Sequence, residues 1–192
     1  MSGLLSLRQS RIRSVVDAYL ALLDKLATVI WGIALLLCGL LVVVVSMQVF
    51  ARYVLQSTPA WGGELSRYIA IWFTLLMAGV LVRTDEHLQV ELIFQRLPYK
   101  IQIAVRSIQL LMIAVVGFIV FNWGWIYALD SGFRSTAPAM GFHMFYMYMV
   151  FPISGLLILL FSVGKLAEIL TYPETVREDY EKRFEVAEEG DD

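Results

Sequence analysis

The stretch LATVIWGIALLLCGLLVVVVSMQVF, residues 26–50, contains no charged side chain. An apolar run of about 20 residues is long enough to cross a hydrocarbon core of about 30 Å as a helix. Three further apolar runs follow, at about residues 65–82, 103–129 and 144–170. Because 59% of the 192 residues are apolar and only 17% are charged, the sequence predicts an all-α membrane protein with four transmembrane helices.

Little of the chain is left for a soluble domain once these spans are subtracted. Residues 26–172 are the predicted membrane domain, followed by an acidic tail at residues 173–192. Residues 1–25 carry apolar side chains at helical spacing with charges opposite, which predicts an interfacial amphipathic helix. A second interfacial helix is predicted at residues 85–97, between the second and third spans, where Pro98 ends an amphipathic stretch.

The positively charged residues are unequally divided between the two predicted sides of the membrane. Twelve of the 15 Lys and Arg residues lie before the first span, between the second and third spans, or after the apolar centre of the fourth. The other three are Arg52, Arg67 and Arg134. Since positive flanks are retained in the cytoplasm, we predict that both termini are cytoplasmic and that residues 52–64 and 130–143 lie outside.

The centres of the predicted spans lack the ionisable residues that usually mark ion and proton pathways. Residues 26–50, 107–129 and 144–164 contain no Asp, Glu, Lys or Arg. The two histidines, His87 and His143, are predicted on opposite membrane faces about 30 Å apart, too far to hold one haem between them. Neither has partners at metal-ligand spacing. The sequence therefore predicts no catalytic residue, metal site or cofactor in this chain.

The fourth span contains a proline that is followed closely by small residues. Pro152 removes a backbone donor and is predicted to kink the helix. Ser154 and Gly155, close behind it, offer a smooth surface on which a second helix can approach closely.

Two charges stand where the second span begins, in WGGELSR, residues 61–67. Glu64 and Arg67 are three residues apart, so one interpretation is a local pair at the helix start, where a carboxylate is also favoured. Such an exposed pair contributes only about 0.2–0.5 kcal/mol. The other interpretation is that both side chains reach a second protein, where a partly desolvated charge matters more.

The stretch around these charges resembles the small membrane subunit of tripartite ATP-independent periplasmic (TRAP) transporters. That family has four transmembrane helices with cytoplasmic ends, Trp-x-x-Glu-x-x-Arg before the second helix and Arg-x-x-x-His after it. FARYVLQSTPAWGGELSRYIAIWFTLLMAGVLVRTDEHLQVELI, residues 50–93, matches at Arg52, Trp61, Glu64, Arg67, Arg83 and His87. APAMGFHMFYMYMVFPISG, residues 137–155, matches the family's fourth-helix motif at Pro138, Ala139, Gly141, Pro152 and Gly155.

The resemblance implies a non-catalytic subunit of the bacterial or archaeal cytoplasmic membrane. It would act as a static scaffold for a large permease subunit that holds the solute and sodium sites, while a periplasmic binding protein delivers an organic acid. It implies membrane lipids around the chain, and no cofactor and no nucleic acid. The expected large-subunit contacts are Arg52, Trp61, Glu64, Arg67, Arg83 and His87, and the expected binding-protein contacts are Arg134, Pro138 and Phe142.

Two alternatives to the TRAP assignment stay open from the sequence. The first is an accessory or assembly subunit of an unrelated membrane complex, in which the short motifs match by coincidence. The second is a haem b membrane subunit, which the predicted separation of the two histidines disfavours.

Overall fold

The fold was analysed in a computed structural model that describes residues 2–84 and 99–172, with side chains described for residues 13–84 and 101–172. The long helices are α1 (Ser2–Tyr53), α2 (Ala60–Thr84) and α3 (Tyr99–Asp130). The fourth span consists of α4 (Phe145–Tyr148) and α5 (Val150–Thr171). All four spans are long and apolar enough to cross a membrane. The predicted all-α membrane protein with four transmembrane helices is confirmed.

The first helix is longer than the apolar run that predicted it. α1 continues without interruption from Ser2 to Tyr53, so the predicted boundary after residue 25 is not a helix end. No Gly or Pro occurs between residues 4 and 31, and therefore nothing in the local sequence ends the helix there. An interfacial position for residues 1–25 stays a prediction. The predicted helix at 85–97 and the tail at 173–192 lie outside the described residues.

The helices are arranged side by side in the order α1, α2, α5, α3. α2 packs between α1 and α5, α3 packs along α5, and α1 also contacts part of α5. Leu76 and Val80 of α2 and Leu157 and Phe161 of α5 belong to the buried core, with Leu23 of α1. Because α1 and α3 form the edges, both expose long apolar faces, which include Leu36, Val42 and Val43 on α1 and Ile108, Met112 and Val116 on α3.

Glycines allow α3 and α5 to approach each other closely. A Cβ atom added to Gly155 would meet the backbone of Phe121 and would lie 2.8 Å from the Gly117 carbonyl oxygen. A Cβ atom on Gly124 would lie 2.9 Å from the Pro152 nitrogen. The contact predicted at Gly155 is confirmed, and Gly117 and Gly124 supply the opposing surface.

The helix of the fourth span is interrupted at Met149, between α4 and α5. Pro152 has no N–H, so the Tyr148 carbonyl loses its ordinary partner four residues later. The next bond, from Ile153 N–H to the Met149 carbonyl, is long at 3.3 Å. The hydrogen-bond pattern is thus weakened in the turn that precedes Pro152, and the predicted kink stays a prediction.

Candidate functional sites at the two ends of the helices

Charged side chains are concentrated at the two ends of the helix row. We call one end the loop end, because it holds the connections at residues 54–59 and 131–144. We call the other the Arg83 end, because Arg83 contacts Asp24 of α1 and Glu168 of α5 there. Each end is organised around one of the charged residues that the sequence singled out, Glu64 at the loop end and Arg83 at the other.

Glu64 lies in the first turns of α2 and accepts hydrogen bonds with both carboxylate oxygens. Its Oε1 accepts from the Tyr68 hydroxyl at 2.6 Å, and its Oε2 accepts from the Ala139 N–H at 2.8 Å. The Met140 N–H also lies close to this carboxylate. Tyr68 is on the next helical turn, so its ring stands beside Glu64. Glu64 thereby joins the start of α2 to the connection between α3 and the fourth span.

The 131–144 loop that Glu64 contacts has an ordered backbone. Its base is closed by bonds from the Met144 N–H to the Ser135 carbonyl at 2.9 Å and from the Phe145 N–H to the Gly132 carbonyl at 3.0 Å. Nearer the tip, the Ala137 N–H donates to the Phe142 carbonyl at 2.8 Å. Gly141 has φ +73°, a left-handed conformation that favours glycine. The fourth-helix motif therefore has a glycine at this position because the turn requires a left-handed backbone conformation.

The local ion pair between Glu64 and Arg67, one of the two interpretations of the WGGELSR stretch, is not formed. Arg67 is exposed, and its guanidinium has no hydrogen bond or ion pair with the residues that the structure describes. Only a longer-range attraction to the Glu64 charge remains. The local pair fails because the Glu64 carboxylate is directed toward Tyr68 and the loop. Arg52 and Trp61 are also exposed at this end.

The three loop residues expected to contact a binding protein differ in exposure. Pro138 is exposed at the tip of the loop. Arg134 is exposed as well and pairs with Asp130 at 2.9 Å, one helical turn earlier in sequence. Phe142 is half-buried and packs edge-to-face on Tyr68, with ring centroids 6.1 Å apart. Pro138 and Arg134 are thus available at the surface, whereas Phe142 mainly anchors the loop to α2.

Arg83 ties three helices together at the other end. Its Nε donates to Asp24 Oδ1 at 2.7 Å and its Nη1 to Glu168 Oε2 at 2.8 Å. Lys165 Nζ lies 3.3 Å from the same Glu168 oxygen. The Arg83 side chain is 10% exposed, Glu168 29% and Asp24 61%. A cation that is nearly buried thus has a carboxylate partner on each neighbouring helix.

The first half of α1 is fixed against α5 close to this ion cluster. The Tyr19 hydroxyl donates to the Leu160 carbonyl at 3.1 Å, and Leu23 fills the space above Gly164, where a Cβ atom would collide with it. The Tyr172 hydroxyl donates to Asp17 at 2.7 Å. That bond raises the pKa of Tyr172, so the phenol stays a donor at neutral pH. Residues 17–24 of α1 therefore contact α5 and Tyr172 of the same chain, and they also have an exposed face.

The acidic residues, cysteine and histidine in the described parts of the chain do not form a metal site. Residues 13–84 and 101–172 contain no group of three or more His, Cys, Asp or Glu side chains that is positioned to hold a metal ion. His143 is exposed on the 131–144 loop and its ring packs near Phe133, 6.2 Å between centroids. His87 lies outside the described residues. The charged contacts at both ends instead join elements of the same chain.

The partners of Glu64 and Arg83 were missed by sequence reasoning. Asp24 was counted only among the charges opposite the apolar face of residues 1–25, and no role was predicted for Glu168. Tyr68 carried a usable signal, because position i+4 after a carboxylate lies on the same helix face. The Ala139 N–H carried none, because a backbone donor is present at every position except proline.

Comparisons with known proteins agree with the resemblance noted in the motifs. The family described as "Tripartite ATP-independent periplasmic transporters, DctQ component" matches residues 41–171. A protein of Haemophilus influenzae named as a TRAP transporter small permease is 23% identical over 134 residues, which cover 70% of this chain and 83% of the relative. The isethionate TRAP transporter permease protein DctMQ of Oleidesulfovibrio alaskensis is 23% identical over 128 residues, 62% of this chain and 20% of DctMQ. This chain thus spans about a fifth of the length of DctMQ.

Proposed function

Because this chain belongs to the DctQ component family of tripartite ATP-independent periplasmic transporters, we propose that it is the static scaffold on which the large permease subunit moves. The solute, an organic acid, and the sodium ions that drive its uptake are bound by the large subunit. A periplasmic binding protein delivers the solute. The match of this chain to part of DctMQ, a single longer permease, supports a partnership with a larger membrane protein.

One observation carries the scaffold role: among the charged residues that the structure describes, Glu64 and Arg83 lie at opposite ends of the helices and hold elements of the same chain together. Residues 26–50, 68–82, 107–129 and 144–164 contain no Asp, Glu, Lys or Arg. A coupled ion in the middle of the membrane needs such groups or carbonyls that line a cavity. Arg83 and Glu64 instead join α2 to α1, to α5 and to the 131–144 loop. The result is a rigid unit without a transport site of its own.

The edge helices and three exposed side chains are the proposed contacts with the large subunit. α1 and α3 present apolar faces that suit either lipid or the helices of another protein. At the loop end, Arg52, Trp61 and Arg67 point away from the chain's own contacts. Glu64 and Arg83 affect this interface indirectly, because they hold in place the helices and the loop that form it. His87 stays a candidate contact on the basis of the motif alone.

We propose that the loop end faces the periplasm and that both termini are cytoplasmic. The twelve-to-three division of Lys and Arg supports this orientation. Arg134 and Pro138 are then exposed on the side from which a binding protein approaches. The protein would belong to the cytoplasmic membrane as a multi-pass subunit.

Orientation is tested by placing single cysteines in a Cys38→Ala background. We expect Pro138→Cys to react with a membrane-impermeant thiol reagent in intact cells and Glu188→Cys to react only after the cells are opened. Labelling in detergent is the control for both variants, because each cysteine must react fully once both sides of the membrane are accessible. Labelling of Glu188→Cys in intact cells would reverse the proposed orientation.

Contact with the large subunit is tested by co-purification from membranes. The double variant Arg52→Glu and Arg67→Glu should lower the amount of large subunit recovered on a tagged chain several-fold, because two exposed cations become anions. Arg134→Glu is the matched control, since it reverses an exposed charge at the same end on the 131–144 loop. Equal recovery with the double variant and the control would remove the two arginines from the proposed interface.

A further inference from the structure

We infer that Glu64 is a positioning residue that holds the tip of the 131–144 loop in the shape that the periplasmic binding protein meets. Glu64 would thereby set how tightly the transporter binds that protein without touching it. This inference rests on the proposed function, because it takes the loop end as periplasmic. The sequence motif predicted a direct contact of Glu64 with the large subunit. Here Glu64 acts instead through hydrogen bonds within its own chain.

The base and the tip of the loop are held in different ways. Backbone bonds close the base, where Thr136 and His143 form an isolated antiparallel bridge and Met144 bonds to Ser135. At the tip, Pro138 and Ala139 are exposed, and a Cβ atom on Gly141 would meet nothing within 4 Å. The tip is closed on itself by bonds from the Ala137 N–H to the Phe142 carbonyl and from the Gly141 N–H to the Ala137 carbonyl. Its position against α2 then depends on the contacts with the α2 side chains Glu64 and Tyr68.

The carboxylate of Glu64 is the polar anchor of this tip. It accepts the Ala139 N–H at 2.8 Å, and the next amide, the Met140 N–H, lies close to it. Hydrogen bonds to an ionised acceptor are stronger than bonds between neutral groups. The Tyr68 hydroxyl, 2.6 Å from the other oxygen, fixes the carboxylate, and the Tyr68 ring supports Phe142. A single acidic side chain thus determines where the exposed residues of the tip are presented.

A fixed tip favours docking because a partner does not have to order it. Each flexible side chain or loop segment that is immobilised on association costs about 0.5–1.5 kcal/mol. If the tip lost its anchor, Pro138 and its neighbours would sample other positions, and the binding protein would select the productive one. The expected consequence is weaker docking with an unchanged transport step.

The first experiment measures the loop in the complex of this chain with its co-expressed large subunit. Hydrogen–deuterium exchange of residues 137–142 should become at least about five-fold faster in Glu64→Ala, because the Ala139 N–H loses its acceptor and the tip loses its anchor on α2. Ser66→Ala is the matched control, because this hydroxyl lies two positions further along α2 and donates to the Gly63 carbonyl rather than to the loop. Glu64→Gln, which keeps one acceptor oxygen, should give an intermediate rate and covers the case in which Glu64→Ala does not assemble.

The second experiment measures sodium-driven uptake by the reconstituted complex while the concentration of binding protein is varied. The solute is the radiolabelled organic acid that most raises the melting temperature of the binding protein. In Glu64→Ala the half-saturating concentration of binding protein should rise about 5–20-fold, and the maximal rate should stay within about two-fold. Ser66→Ala should leave the half-saturating concentration unchanged. A purely structural defect would instead lower the maximal rate by reducing the amount of competent complex.

The possible outcomes separate this inference from the proposed function. Unchanged deuterium exchange in Glu64→Ala and Glu64→Gln would overturn the positioning role. Faster exchange with an unchanged half-saturating concentration would show that the loop tip does not form the docking surface, while the scaffold role would stand. Wild-type uptake that did not require the binding protein would overturn the proposed function, and this inference with it.

Discussion

The two ends of the molecule hold a charge in opposite ways. At the loop end an anion, Glu64, is bound by neutral donors, the Tyr68 hydroxyl and backbone N–H groups of the loop. At the other end a cation, Arg83, is bound by two anions, Asp24 and Glu168, from two other helices. The first arrangement fastens a loop to one helix, whereas the second fastens three helices to one another.

This difference predicts unequal consequences when each charge is removed. Without Arg83, two carboxylates face each other across a site in which the guanidinium is only 10% exposed. Without Glu64, the groups that lose their acceptor are the Tyr68 hydroxyl, which still lies 3.2 Å from Met144 Sδ, and backbone donors in an exposed loop, which water can reach. The Arg83 end should therefore control the stability of the whole subunit, and the loop end should control a local shape.

Arg83→Gln should have the largest effect on stability. Removing one partner of a buried pair costs about 3–5 kcal/mol, and because Asp24 is 61% exposed we expect a lower cost of about 2–4 kcal/mol. This corresponds to a melting temperature lowered by about 5–10 °C, measured by tryptophan fluorescence of the detergent-purified chain. Arg67→Gln, which removes an unpaired exposed arginine from the same helix, should melt close to wild type. Similar losses in both variants would contradict the contrast between the ends.

Gly155→Ala tests the helix contact that connects the two ends. α5 starts beside the loop end and reaches Glu168 at the Arg83 end, so an altered α3–α5 contact should affect both. The added methyl group would collide with the backbone of α3 and is expected to cost about 1–3 kcal/mol. Gly39→Ala is the control, because nothing lies within 4 Å of its Cβ position. Equal thermal stability of the two variants would refute the close packing described here.

Tyr68→Phe should have the smallest effect on stability of the three substitutions. It removes the hydroxyl that donates to Glu64 at 2.6 Å but keeps the ring against Phe142. The loss of one hydrogen bond to a charged group costs about 1.5–3 kcal/mol when the acceptor is stranded, and less here because Glu64 keeps its backbone donors. We expect a melting temperature within about 3 °C of wild type, with faster amide exchange confined to the 131–144 loop. A loss as large as that of Arg83→Gln would contradict the local role of the loop end.

The four spans were predictable because each contains a long apolar stretch with at most two charged residues near its ends, a signal that depends only on neighbouring residues. The continuation of α1 through residue 25 was not predicted, since a change from a polar to an apolar surface was taken for a boundary. The helix itself has no residue there that would end it. Surface polarity and helix continuity are separate properties, and only the first changes at this position.

The contacts at the two ends were not predictable in the same way. Arg83 and its partners are 59 and 85 positions apart in sequence, and Glu64 and Ala139 are 75 apart. Local periodicity cannot show which distant residues meet. The family resemblance marked Glu64, Arg67 and Arg83 as important but did not show that Glu64 and Arg83 bind their own chain. Gly117 and Gly124, seven residues apart on one helix face, carried a signal for close packing that the prediction did not use.

Reconstitution with each component left out in turn tests most directly the claim that this chain supplies a scaffold and no transport chemistry. Proteoliposomes would contain this chain, the large subunit, or both, with the binding protein added outside and a sodium gradient imposed. The account predicts no uptake by this chain alone, and uptake only when both membrane subunits and the binding protein are present. Solute accumulation by this chain alone, or full uptake by the large subunit and binding protein without it, would contradict the account.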